Sequence, residues 1–431
     1  MLRAILTLLA GGALAQALPL LLGPWLTRLY QPADFGSYHL FAAVAANLAV
    51  VACARYEFAL PLAQQDAEAA ALRSLCLRLL ALATGLTALG AVAWALLAGV
   101  LWPLWLPAAV GVLGWLSLAT LTATRAQRFR RLGAARVLQY GGGALLQGLA
   151  GLWQFGLMGL IVAPTLAALA AVGALVWPGP VGSVRGAPRV GVRAEVHVTR
   201  ARWLAAARRH RSFPLLNTPH AFLGALQDTL AIALIAGSLG PAAAGAWGLA
   251  LRYLKAPATL VGGAVSQVLY PRLAAVAGDQ PGCTAAGRAL VVRTMVLLAL
   301  LASPLVAALW WLGPALFTWA FGPDWAPAGG LARALALYIG LHFIASPLGV
   351  VTLAWQAQAW ALKLALLGQL LFVAALGLGL HWGGLQGAGW AVSGVMAAYF
   401  GWYFSRLATW PLGPVVAPAA APAVAASGLA P

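Results

Sequence analysis

Acidic side chains are almost missing from this chain, with eight Asp and Glu among 431 residues. Charged residues of both signs together reach 8%, against about 25% in soluble globular proteins. A water-soluble domain cannot cover its surface with so little charge, so the soluble classes are excluded. Cysteine is scarce too. Cys53, Cys76 and Cys283 show no metal or redox spacing and read as small core residues. Lysine occurs only as Lys255 and Lys363, and the rest of the 26 basic residues are arginine. Alternating segments of the β-barrel kind are also missing. There is no Gly-rich phosphate loop in a soluble context, no HExxH and no Cys/His cluster. Catalytic chemistry is therefore poorly supplied, and no enzyme activity, metal or cofactor is expected.

What fills the chain is apolar: 63% of it is hydrophobic, against about 45–50% in soluble proteins. A helix needs about 20 apolar residues to cross the hydrocarbon core. Runs of that kind fall at residues 4–26, 37–60, 74–99, 104–123, 137–155, 157–177, 214–237, 242–269, 289–312, 333–355, 362–380 and 388–404. Backbone groups must be paired within such segments in lipid, so the runs are predicted to be helices. The fold class is an all-α polytopic membrane protein of about twelve transmembrane helices. Arg3, an apolar run and Ala13-Leu14-Ala15 resemble a cleavable signal peptide. The apolar run continues through Trp25, however, and its spanning length favours an uncleaved first helix.

The formal net charge is +18. In a soluble protein that excess would suggest nucleic acid. Here the arginines sit in short gaps between apolar runs, where they set orientation, and no nucleic-acid partner is expected. With the N-terminus cytoplasmic, Arg28 and Arg333 alone lie on outer flanks, while Arg55, Arg252 and Lys255 lie inside spans. All other basic residues then fall on inner flanks, which places both termini in the cytoplasm.

The longest gap, residues 178–212, is rich in arginine and reads as a basic cytoplasmic linker. It divides a six-helix lobe over 1–177 from a second over 213–405. Its stretch from Thr199 to Arg211 admits two readings, a basic helix on anionic lipid or a disordered orientation signal. Pro32, Gly36 and Tyr38 recur at one constant offset as Pro241, Gly245 and Trp247, an internal repeat in the same sense. The Ala/Pro-rich tail over 406–431 is expected to be disordered.

Charges within spans cost about 2.5–3.5 kcal/mol each on insertion scales, so they tend to pair or to line a hydrated cavity. The candidates are Arg55 and Glu57 in the second span, Asp228 in the seventh, and Arg252 with Lys255 in the eighth. Arg28 stands at the outer end of the first. Arg252 and Lys255, three apart, share a helical face. Either Asp228 lies between them, or they meet an anionic substrate such as a pyrophosphate, whose oxygens a guanidinium binds bidentately. Arg28 has a simpler alternative as a boundary anchor, and Arg55 can snorkel. Glu57 and Asp228 are the candidate carboxylates for ion coupling.

Several of these segments also carry a resemblance. Leu26-Thr27-Arg28-Leu29-Tyr30-Gln31-Pro32-Ala33-Asp34-Phe35-Gly36 looks like the first outer turn of the polysaccharide flippases of the multidrug/oligosaccharidyl-lipid/polysaccharide exporter superfamily. Arg55-Tyr56-Glu57-Phe58-Ala59-Leu60-Pro61 resembles the end of their second helix, and Ser212-Phe213-Pro214-Leu215-Leu216-Asn217-Thr218-Pro219 the start of their second half. Leu239-Gly240, Gly245, Arg252-Tyr253 and Ser266-Gln267-Val268-Leu269-Tyr270-Pro271 are similar to helix eight and its exit, and Phe321-Gly322-Pro323-Asp324-Trp325 to a later outer loop.

The resemblance implies two six-helix lobes alternating about a central cationic cavity in the cell inner membrane. It implies a substrate of undecaprenyl-pyrophosphate-linked oligosaccharide, a precursor of O-antigen (lipopolysaccharide), capsule or exopolysaccharide. Arg28, Arg55 and Arg252 match positions where relatives carry cavity cations. Membrane lipids, a polysaccharide polymerase and a chain-length regulator are the implied partners. Three rivals remain: a drug or cation antiporter of the same superfamily, a membrane-embedded polymerase or glycosyltransferase, and a scaffold with no transport role. The first would want an acid-rich cavity. The second would want clustered acids outside, where only Asp34 and Asp324 stand.

Overall fold

The computed structural model describes residues 2–177, 199–277 and 282–412, and among them the regular elements are all helical. In order these are α1 (Leu2–Leu26), α2 (Pro32–Val51), α3 (Asp66–Ala98), α4 (Leu106–Arg125), α5 (Phe129–Val137), α6 (Gly143–Leu152) and α7 (Gly156–Val176). After α8 (Arg200–Arg209) come α9 (Thr218–Leu239), α10 (Pro241–Leu254), α11 (Ala256–Ala277), α12 (Ala285–Phe321), α13 (Ala326–Ala334), α14 (Ala336–Ala354) and α15 (Gln358–Ala408). Helical segments underlie each expected run. Among the described residues, eight stretches are long and apolar enough to cross a membrane: α2, α3, α4 with the turn before it, α7, most of α9, α12, α14 and α15. Residues 178–198 of the expected linker, and the expected tail beyond 412, lie outside the described residues.

The outward face of α3 shows why the solvent is lipid. Leu82, Leu86, Leu89, Leu96 and Leu97 recur at helical spacing and are all exposed, Leu97 by 89%. In water such a stripe would turn inward. In hydrocarbon it needs no cover.

At 51 residues, α15 is far longer than the roughly 20 that span a bilayer. Non-helical φ/ψ at Gly383 and Gly384 reverse it, with Gly384 at φ 57°. A Cβ on Gly379 would meet the Gly387 carbonyl, whereas eight residues of straight helix would separate the two by about 12 Å. The last two expected spans are thus one tight helical hairpin.

The second expected span ends early. Its run to residue 60 stays apolar, yet α2 stops at Val51, and Ala54 and Arg55 take left-handed φ of 47° and 60°. A 3-10 turn, Tyr56–Leu62, follows. Arg55 and Glu57 therefore stand on this turn beyond the helix, a correction to their placement inside the span. Left-handed backbone is rare for residues with a Cβ, and hydrophobicity does not encode it.

The helices group into two compact units. The first comprises Met1–Leu254, Ala308–Ala336 and Leu371–Ser393. Within it α2 crosses α10 with backbones in contact: a Cβ on Gly36 would strike the Pro241 carbonyl, and one on Gly245 the Pro32 carbonyl. The repeat seen in the sequence is therefore reciprocal in space, each copy's glycine facing the other copy's proline. Trp247, the third member of its copy, is fully buried. A core of Phe41, Leu60, Leu72, Leu80 and Val110 fills the space between α2, α3 and α4.

Helix α8, within the expected linker, packs along α3. Ala206 is buried, Arg78 lies 5.0 Å over the Trp203 ring, and the Tyr56 hydroxyl donates to the Ala207 carbonyl at 3.2 Å. Glu68 in the first turn of α3 binds His210 at 3.0 Å and Arg209 at 3.4 Å.

The second unit comprises Lys255–Ala307, Leu337–Leu370 and Gly394–Pro431. There α11 lies against α14, with Gly262 leaving room for Ser346 and the Ser266 hydroxyl donating to the Pro347 carbonyl at 3.3 Å. The two arms of α15 meet through Tyr399, whose hydroxyl donates to the Leu364 carbonyl at 3.0 Å. Trp360 stacks on Tyr403, 6.0 Å between centroids.

Candidate functional site: a cation beside the prolines of the first helix

Two prolines, Pro19 and Pro24, lie inside α1. A proline in mid-helix supplies no N–H to the carbonyl four residues earlier. Pro24 therefore deprives the Leu20 carbonyl of its helical donor. In the first unit α10 supplies the replacement: the Tyr253 hydroxyl donates to that carbonyl at 2.7 Å. Gly23 makes the approach possible, since its missing Cβ would overlap the Tyr253 hydroxyl. One residue earlier on α10, the Arg252 guanidinium donates to the Pro19 carbonyl at 3.4 Å. Sequence pattern singled out the arginine but passed over the tyrosine and both prolines. The prolines were the available signal.

Arg252 is half-buried. Among the described residues no carboxylate lies within ion-pair distance of it, and ion pairs form elsewhere, at Arg125–Asp66, Arg209–Glu68 and His210–Glu68. A long, neutral hydrogen bond leaves most of its fork available to an anion. His39 of α2 stands close enough for the charge on Arg252 to act on it. Its ring fits against Gly248, and its Nε2 is sealed from solvent with no hydrogen-bond partner among the described residues.

The other expected site residues are placed as follows. Arg28 is exposed in the turn after α1, and the neighbouring Thr27 carbonyl accepts from Trp325 Nε1 at 3.1 Å. Arg55 is half-buried, its guanidinium 4.3 Å over the Phe58 ring. Lys255 is the first residue of the second unit and occupies the break between α10 and α11. The continuous helix expected over 242–269 is interrupted there. Asp228 is exposed on α9. Next to it Thr229 donates to the Ala43 carbonyl of α2 at 3.3 Å.

Glu57 is 2% exposed, the buried carboxylate among the described residues. Its Oε2 has no hydrogen-bond partner among the described residues. Standing on the turn between α2 and α3, it has its carboxyl pushed up by burial, against smaller opposing effects that include Arg55. Cys53 and Cys76, 23 residues apart, come together beside it.

The sequence model for a family described as polysaccharide biosynthesis protein matches residues 25–329. The chain belongs to that family. The matched stretch begins just after Pro19 and Pro24 and includes the α2–α10 crossing, Arg252 and Tyr253. No curated protein matches the chain.

Among solved structures, an inward-facing multidrug resistance MATE family transporter of the MOP superfamily is similar, with a TM-score of 0.69 at 14% identity, over 93% of this chain and 95% of that one. An outward-facing MATE family transporter gives a TM-score of 0.54 at 14% identity, over 95% and 97%. A point mutant of the Vibrio cholerae MATE transporter VcmN gives 0.53 at 15% identity, over 94% and 95%. At such identities the likeness establishes the fold. This polysaccharide biosynthesis family member is a multi-pass membrane protein with the MATE transporter fold.

Proposed function

We propose that this protein flips an undecaprenyl-pyrophosphate-linked oligosaccharide from the cytoplasmic to the periplasmic leaflet of the cell inner membrane, by alternating access of two lobes over 1–177 and 213–405. The observation that carries the reading is Arg252, a half-buried guanidinium beside the prolines of α1 with a neutral carbonyl as its protein hydrogen-bond partner. A cation in apolar surroundings is costly unless it meets an anion or water. A pyrophosphate presents the oxygens that a guanidinium fork fits. Arg28 and Arg55 stand before and after the 20-residue α2, about 30 Å of helix, so they and Lys255 are assigned to the anion at successive points of its path, and Glu57 or Asp228 to a coupling ion. The family match supports a glycan substrate. The fold supports a transporter rather than an enzyme. A polymerase and a chain-length regulator would act on the delivered precursor.

The competing reading, a drug or cation exporter, draws on the multidrug neighbours. The cations around α1 speak against it, because they would repel such a substrate. Proteoliposomes loaded with fluorescent lipid-linked oligosaccharide separate the two. Wild-type protein is expected to expose the glycan to an external hydrolase or quencher. Arg252→Ala is expected to slow exposure at least ten-fold at equal protein content. Undiminished flipping by Arg252→Ala removes that residue from the site. Export of cationic dyes with no flipping replaces the proposal by its rival.

A further inference from the structure

Cys53 follows the end of α2, Glu57 lies on the 3-10 turn, and Cys76 projects from α3. Folding brings their side chains into one pocket of the first unit, where the two thiol sulfurs and a carboxylate oxygen all lie within 4.8 Å of one another. They are sealed inside the protein, with exposures of 1% for Cys53, 2% for Glu57 and 0% for Cys76. The Cys53 thiol faces the Cys76 carbonyl at 3.7 Å. Glu57 Oε2 has no hydrogen-bond donor, a costly condition for a buried carboxylate.

We propose that Cys53, Glu57 and Cys76 form a binding site for one zinc-class divalent cation. Two sulfurs and one oxygen are a donor set for a borderline-soft ion. They do not suit magnesium or calcium, which take six or more oxygens. Tetrahedral zinc with Zn–S bonds of about 2.3 Å places its sulfurs about 3.8 Å apart. The present group therefore needs a contraction of about 1 Å at most. As the ion binds, the two thiols release their protons to water. Two thiolates and a carboxylate around a dication leave one negative charge, which Arg55 is close enough to offset. The fourth coordination position stays open to a water molecule. Such an ion would fasten the left-handed turn that carries Arg55 onto α3. The inference does not depend on what the protein transports.

The test uses full-length protein purified in detergent under nitrogen, stripped with chelator and titrated with cobalt(II), with metal content measured separately after zinc loading. About one equivalent per chain and a thiolate-to-cobalt charge-transfer band are expected. Cys53→Ser and Cys76→Ser should each abolish the band, Glu57→Gln should weaken affinity at least ten-fold, and Cys283→Ser should leave both unchanged. Absence of the band from the wild-type chain overturns the proposal. So does a band that survives in the Cys53→Ser/Cys76→Ser double variant. A Cys53–Cys76 disulfide in the nitrogen-handled protein, shown by thiol counting, overturns it in favour of a redox pair. If the cysteine variants do not fold, the wild-type spectrum and Glu57→Gln decide.

Discussion

At Tyr253 a single hydroxyl repairs what a proline breaks. Pro24 leaves the Leu20 carbonyl without a helical donor, and the 2.7 Å bond from Tyr253 closes the gap. Leaving a buried acceptor unmade costs about 1–3 kcal/mol. Tyr253→Phe should therefore lower the midpoint of thermal or denaturant unfolding in detergent. Pro24→Ala restores an N–H to the same carbonyl, so Tyr253→Phe should cost less in that background, a coupling read directly from a double-mutant cycle. Independent effects of the two changes would mean that the hydroxyl does not serve this carbonyl. The glycine pair gives a second prediction at this scale. Gly36→Ala and Gly245→Ala each push a methyl group into opposing backbone, an overpacking penalty of about 1–3 kcal/mol. Gly85 in α3 has nothing within reach of an added Cβ, and Gly85→Ala should leave stability unchanged or raise it slightly.

At the scale of elements, α8 is a short helix held by few contacts, and its hold is measurable. Trp203 under Arg78, buried Ala206 and the Glu68 pairings fix it to α3. Trp203→Ala should raise the open population about ten-fold for each 1.4 kcal/mol lost. Faster tryptic cleavage after Arg208 and Arg209 would report it, and an unchanged rate would deny the docking. The helical character of α8 was legible in the sequence only as one of two readings. Its charge pattern fits a helix or an orientation signal equally well, and the deciding partners, Glu68 and Arg78, lie far back in the chain. The apolar spans were legible because hydrocarbon sets their length. What escaped was backbone geometry inside apolar runs, namely the left-handed turn at Ala54 and Arg55 and the break at Lys255. The site was legible in the same partial way. Arg252 stood out because charge is scarce, whereas His39 and the Cys53–Cys76 pairing depend on contacts that no local spacing reveals.

At the scale of the molecule, arginine distribution fixes an expected orientation. Arg28 falls on the outer side, and Arg406, in the last turn of α15, falls on the inner. Both positions are exposed. Arg28→Cys should react with a membrane-impermeant maleimide from the periplasmic side, and Arg406→Cys only after the membrane is opened. Labelling of both from one side would refute the orientation. The three native thiols make this experiment simple. Cys53, Cys76 and Cys283 are each at most 2% exposed, so the natural chain is already a nearly silent background for thiol chemistry. Probes for distance or spin measurements can be introduced one at a time, with no need to strip out residues on which the core depends.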